Sequence, residues 1–335
     1  MKERVVIIGG GPAGLLTSYH LKNFGVNSII LEKGRAGESW RKMRDGMVML
    51  SPSVPSMDMT SLSFDHPIWS LVKLKGPFAT KEEFIEYLEL FAEINKINLM
   101  KDKAVSQINK TDDGFEASVD DGSKISSTTV VVATGVIGHP CLPDIPGVED
   151  NPKVIHSQNY RGLEAYRGKR VLIVGAGNSG AELTIELSGV ADVTLVNKDR
   201  LKYYSETGNL SNIRGLSESI LKELINFKII VLKEGVSIES ISGGNVVFSD
   251  GVEDEFDEIV FATGYLPYMP GFTGMEVKIL KDGYPELTPS CESVSTKGLY
   301  FTGPLSVKSR LCSFIHCFRP KVAPMALDIA DKLGR

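Results

Sequence analysis

Two stretches far apart in the chain repeat one pattern of apolar, small and polar residues. Arg4–Leu21 reads RVVIIGGGPAGLLTSYHL and Arg170–Leu187 reads RVLIVGAGNSGAELTIEL. Each opens on a short, mostly β-branched apolar run (Val5–Ile8; Val171–Val174), passes through G-x-G-x-x-G, continues into a helix-forming apolar stretch and reaches a second apolar run (Ser28–Leu31; Val193–Val196). The pattern predicts one βαβ unit used twice. Each unit is followed, much later, by an apolar strand that runs into Ala-Thr-Gly, at Ala133, Thr134 and Gly135 and again at Ala262, Thr263 and Gly264. The repeat therefore extends over whole domains. Near the end, Val322, Met325, Ala326 and Ile329 fall on one face at helical spacing.

Between the first Ala-Thr-Gly and the second glycine turn lies GHPCLPDIPGVEDNP, residues 138–152, dense in proline and glycine as an interdomain crossover should be. The expected partition is a first domain of residues 1–145 that returns at 281–335, with a second domain, 155–280, inserted into it.

Composition narrows the function. The chain has 335 residues, enough for two domains with their own cores, and a net charge of −5 without a basic stripe argues against nucleic acid. The first strand begins too close to Met1 for a signal peptide, and no apolar run approaches the ~20 residues of a membrane helix. The four cysteines are too few and too unevenly placed for a secreted disulfide framework. A soluble cytoplasmic protein without a membrane or metal site is expected.

The glycines carry the candidate chemistry. In the first copy Gly9 permits a tight turn, Gly11 lets the main chain approach a pyrophosphate, and Gly14 lets the helix pack on the strand, while the helix N-terminus offers free N–H groups to phosphate. Glu32 ends the second strand 18 residues beyond Gly14, where a carboxylate can accept hydrogen bonds from ribose hydroxyls. The second copy repeats the turn with Gly175, Gly177 and Gly180, with Asn178 and Ser179 opening its helix, but has no acid at the ribose position. Matching SIILEK to VTLVNK sets Asn197 opposite Glu32, whereas a gapless count from the glycines sets Lys198 there. Lys198 and Arg200 can meet the 2′-phosphate of NADPH, with Asp199 as the dissenting charge. Two turns imply two dinucleotides: the ADP half of FAD at the first, and NADPH, which hands hydride to the flavin, at the second.

On these motifs the sequence resembles the two-dinucleotide-binding-domain flavoproteins, and within them the flavin-containing monooxygenases. The resemblance covers nearly the whole chain, and it implies an α/β fold of two Rossmann-like dinucleotide-binding domains (glutathione-reductase-like), the NADPH domain inserted into the FAD domain. Carried over residue by residue, it implies that Gly9, Gly11, Pro12, Ala13, Gly14, Glu32, Lys33 and Trp40 contact FAD, that Val105 touches its adenine, and that Gly303 approaches its ribityl-pyrophosphate region. ATGVIGHP and FATGY resemble the family's two linkers. Gly175, Gly177, Asn178, Ser179 and Gly180 are implied to hold the NADPH pyrophosphate. The activity implied is oxygenation of a small nucleophilic substrate by O2 through a flavin C4a-hydroperoxide, with the substrate near SPSVPSMDM (51–59) and LKYYSETGNL (201–210), and the architecture often forms homodimers.

The sequence departs from this pattern in three places. The signature F-x-G-x-x-x-H-x-x-x-Y/F keeps His156 and Tyr160 but has Asp150 and Pro152 where Phe and Gly belong, which makes His156 a hinge or hydrogen-bonding residue. MLSPSVPSMDM lacks the asparagine that oxygenating relatives place near the flavin. The chain is also closer in length to thioredoxin-reductase-like enzymes and bacillithiol disulfide reductases. The rival reading is an NADPH-dependent reductase of a disulfide or another acceptor. Cys312 and Cys317 form a C-x-x-x-x-C, but not where the reductases place their redox pair. A flavin-binding regulator without turnover is the third class, disfavoured by two intact phosphate turns. No catalytic residue is assigned.

Overall fold

The computed structural model describes residues 3–307 and 314–335. Its chain forms two units: one comprises the chain up to Arg41, Val48–His139 and the chain from Leu266 on, the other Lys42–Met47 and Pro140–Tyr265.

Both units are built on five parallel strands in the same order, which in the first belong to an eight-stranded mixed sheet. In the first, Leu99–Met100, Ser28–Leu31, Glu3–Ile8, Lys124–Val132 and Leu299–Phe301 lie side by side. In the second, Val231–Glu234, Asp192–Asn197, Arg170–Val174, Glu258–Phe261 and Val154–His156 repeat that order. Ile7 sits between Ile30 and Val131, and Ile173 between Leu195 and Val260, so corresponding residues occupy the centre of each sheet. The fifth strand comes from the chain's return in the first unit and from its entry in the second, as an insertion requires.

The central strands are apolar over residues 5–8, 130–132 and 171–174 because both faces are covered there. Val5 and Ile7 point into a core shared with the helices Pro12–Asn23, Lys81–Ile94 and Ile315–Lys332, while Val6 and Ile8 point into the opposite layer with Ile108, Phe115 and Phe301. Val171 and Ile173 pack against Ala181, Leu183 and Leu221, while Leu172 faces Phe248 and Phe256. Val322, Met325, Ala326 and Ile329 are all buried on one side of the last helix, as their spacing predicts. On the far layer each unit carries antiparallel strands: Val105–Thr111 and Gly114–Val119 join Lys124–Val132 in the first, and Ile238–Ser242, Asn245–Phe248 and Glu253–Glu255 form a separate sheet in the second.

The unit boundaries differ from those expected from proline and glycine content. Residues 140–145 belong with the second unit, where Cys141 N–H donates to the Gly264 carbonyl at 2.9 Å and Ile145 packs on the Leu172 core. Residues 266–280 belong with the first, because Gly271–Thr273 adds a strand to Val105–Thr111. The excursion Lys42–Met47 belongs with the second unit, anchored by buried Arg44, which pairs with Glu182 at 2.5 Å; Arg214 meets the same carboxylate at 3.0 Å.

Candidate functional site

The first turn is closed by contacts that only glycine allows. Gly9 has φ +106°, and a side-chain carbon there would lie 2.6 Å from the Ala133 carbonyl oxygen. One at Gly14 would lie 2.0 Å from the Gly9 carbonyl oxygen, so the helix can rest on the turn only without it. At Gly11 nothing lies within 4 Å, which leaves open space over the backbone for a phosphate. Gly11 caps the helix Pro12–Asn23 without a side-chain hydrogen bond, and Pro12 has no N–H, so the first-turn N–H groups that follow are left for a ligand. Gly303 has φ +69°, and a carbon there would lie 2.7 Å from Cβ of Ala13, which places the returning chain against the same helix start.

Glu32 lies beside this turn. Its carboxylate is buried and accepts from Gly10 N–H at 2.5 Å and Gly34 N–H at 3.0 Å. Burial pushes its pKa above the ordinary carboxylate value, against the pull of those two N–H groups and Lys33. Each oxygen keeps a lone pair that a hydroxyl can use. Gly37 N–H donates to Gly10 O at 3.0 Å and brings in the short helix of Trp40, whose half-buried ring stands edge-on to Phe84 at 4.8 Å. Lys33 is exposed, and Val105 is buried in the far core layer.

The second turn repeats this geometry. Gly175 has φ +96° and faces the Ala262 carbonyl; a carbon at Gly180 would lie 1.9 Å from the Gly175 carbonyl oxygen; Gly177 is open and caps Asn178–Leu187 without a side-chain bond. Asn197 Oδ1 accepts from Ala176 N–H at 3.1 Å. Ala176 occupies the place of Gly10, so the structure chooses between the two alignments: Asn197 is the counterpart of Glu32, and Lys198 of Lys33. A neutral amide replaces the carboxylate at the ribose position, with Lys198 and Arg200 exposed just beyond it. The Asn178 side chain is taken up by the loop above, donating to Leu210 O at 2.8 Å and accepting from Arg214 N–H at 3.0 Å, so only its backbone faces the turn. Ser179 is half-buried beside it.

A sequence profile of the pyridine nucleotide-disulphide oxidoreductase family matches residues 6–303. The chain belongs to that family. It is 28% identical to a probable indole-3-pyruvate monooxygenase, YUCCA1 of Arabidopsis thaliana, over 89% of this chain and 84% of that one. Its fold is similar to that of bacillithiol disulfide reductase Bdr from Staphylococcus aureus, with a TM-score of 0.84, 21% identity and 99% of each chain covered. A flavin-containing monooxygenase from Stenotrophomonas maltophilia superposes with a TM-score of 0.80 and 20% identity, covering 99% of this chain and 100% of that one. The protein is thus a flavin-dependent oxidoreductase with the two-dinucleotide-binding-domain fold, of a family that uses FAD and NADPH.

Both Ala-Thr-Gly segments of this oxidoreductase are chain crossovers built alike. Thr134 Oγ1 donates to Tyr268 O and Tyr268 N–H to Gly135 O; Thr263 Oγ1 donates to Cys141 O and Cys141 N–H to Gly264 O. The threonines and glycines were recognisable as a repeat, but their partners, more than 120 residues away, were not. Gly264 O also faces His156 Nε2 at 3.0 Å, while His156 Nδ1 accepts from Gln158 N–H at 3.1 Å. That pair of bonds fixes the neutral tautomer protonated at Nε2, and burial lowers the imidazole pKa against the opposing pull of the Gly264 carbonyl. His156 is a structural residue. Cys312 lies outside the described residues; Cys317 is disulfide-bonded and packs on the first unit's core. Among the described residues no helix is long and apolar enough to cross a membrane.

Proposed function

We propose that FAD binds the first turn, that NADPH binds the second, and that the enzyme oxygenates a small nucleophilic substrate with O2. The observation that carries the cofactor assignment is the exchange of one residue between two otherwise equal turns, Glu32 in one and Asn197 in the other, and the likeness to monooxygenases supports oxygenation. A buried carboxylate with lone pairs free suits the two ribose hydroxyls of an unphosphorylated adenosine. It would repel a 2′-phosphate; a neutral amide followed by Lys198 and Arg200 would not. Gly9, Gly11, Ala13, Gly14 and Gly303 would hold the FAD pyrophosphate through backbone groups, with Lys33 and Trp40 beside it. Gly175, Gly177, Ser179, Gly180 and the backbone of Asn178 would do the same for NADPH, and Ala133–Gly135 and Ala262–Gly264 would carry the chain past each site. When bound, FAD supplies the redox centre that takes hydride from NADPH and delivers reducing equivalents to O2.

The missing asparagine in 49–59 favours a second reading, an NADPH-dependent reductase of a disulfide or other acceptor that does not oxygenate. Rapid mixing of anaerobically reduced holoprotein with oxygenated buffer separates the two. A transient flavin spectrum distinct from the reduced and oxidised forms supports oxygenation; direct return to oxidised flavin with release of peroxide supports the reductase.

A further inference from the structure

On the C-terminal helix Ile315–Lys332, outside both turns, Arg319 is half-buried. One of its nitrogens donates to Ser61 O at 2.7 Å, and the guanidinium carbon lies 4.3 Å from the centre of the Phe64 ring. Among the described residues it has no ion-pair partner. Asp58, the acid whose charge acts on it, is already occupied: it accepts from Thr60 N–H at 3.1 Å, Ser61 N–H at 2.9 Å, Ser61 Oγ at 2.5 Å and Trp69 Nε1 at 3.2 Å. Burial holds the guanidinium below its ordinary pKa, the mark of a cation whose lost hydration is not replaced.

The contacts Trp69–Asp58–Ser61–Arg319–Phe64 form one continuous chain, and two of its members are aromatic rings turned to solvent, Phe64 at 68% exposure and Trp69 at 42%. Joined through one run of polar contacts to a cation, the two rings make an apolar surface that a ligand can cover. A flat apolar body against the rings and a carboxylate on the free prongs of the guanidinium would satisfy both features at once. His316, one turn before Arg319, is disfavoured as a second cation by its own burial and by the charge of Arg319, so among the described residues of this helix turn Arg319 carries the positive charge, which a single carboxylate matches.

We propose that Arg319, Phe64 and Trp69 bind an aromatic carboxylate. The assignment of that ligand as substrate rests on the proposed function and on the family resemblance, which implies a substrate near the segment 51–59 that includes Asp58.

The test is calorimetric titration of the flavin-loaded protein with phenylacetate and with phenylacetamide. The acid should bind at least about tenfold more tightly than the amide. Arg319→Gln, checked for wild-type flavin content and melting, should bring the acid down to the level of the amide, and Phe64→Ala should weaken both. Equal binding of acid and amide by the wild type, no measurable binding of the acid, or a preference that survives Arg319→Gln would each overturn the proposal. If Arg319→Gln fails to fold, the wild-type comparison of acid with amide and the Phe64→Ala titration still decide. Anaerobic bleaching of the flavin by NADPH is scored separately: its absence would remove the proposed function while leaving the carboxylate site standing.

Discussion

The two glycine turns have nearly the same backbone and differ in the residue beside them. Gly9 and Gly175 share a positive φ, Gly14 and Gly180 touch the turn carbonyl in the same way, and Gly11 and Gly177 are both open. At the end of the second strand, Glu32 and Asn197 accept a hydrogen bond from the same turn position. The shared geometry accounts for pyrophosphate binding in both, because backbone N–H groups do not distinguish one dinucleotide from another. Discrimination is left to one side chain and the loop that follows it.

The largest effect should come from breaking the shared part. Ala at Gly180 must displace the Gly175 carbonyl, a clash worth about 1–3 kcal/mol even after relaxation. Gly180→Ala is expected to keep its flavin and lose reduction by NADPH, whereas Gly14→Ala should lose the flavin itself; flavin absorbance after desalting and the rate of anaerobic bleaching separate them. Loss of flavin from both variants would mean that the turns are not independent sites.

Next comes Glu32. Gln at this position can accept only one of the two N–H bonds and turns its own NH2 toward the other, so Glu32→Gln should lower FAD affinity about 10- to 100-fold. The sign of the pH effect follows from the same group. Ribose hydroxyls donate to the ionised carboxylate, and burial raises the pKa of Glu32 in the free protein. FAD binding therefore releases a proton where Glu32 is protonated, and affinity should fall as pH drops through that raised pKa. Glu32→Gln should flatten the dependence, as a fluorescence titration of apoprotein with FAD across pH would reveal.

A smaller change sharpens the other side. Replacing Lys198 and Arg200 together by Ala should cut the preference for NADPH over NADH about tenfold, more at low salt than at high, since both residues are exposed. An unchanged preference would contradict their role. The smallest effect is expected at His156. His156→Phe should cost about 1 kcal/mol of stability and add no limb to the pH–rate profile, because the ring serves two backbone groups and not a reacting atom.

Much of this comparison was legible in the sequence because its elements are local. The strand, turn and helix lie within 21 residues in the first copy and 18 in the second, and the glycines follow from the geometry that the turn demands. The parts that were not legible depend on distance. Nothing around Arg44 announces that Lys42–Met47 leaves one unit for the other, since the anchoring carboxylate of Glu182 lies 138 residues on. The choice between Asn197 and Lys198 turned on which side chain reaches Ala176 N–H, which spacing alone left open. Asn178 fits its motif perfectly well, yet its side chain is held by residues 210–214.

The most direct test of the claim that one turn holds FAD and the other admits NADPH is anaerobic rapid mixing of the flavin-loaded protein with each nicotinamide cofactor. The wild type and an Asn197→Asp variant, which restores a carboxylate beside the second turn, are compared by flavin bleaching. The account predicts faster bleaching with NADPH than with NADH in the wild type, and a preference that shrinks or reverses in the variant. Equal rates in the wild type, or a preference untouched by the new carboxylate, would contradict it.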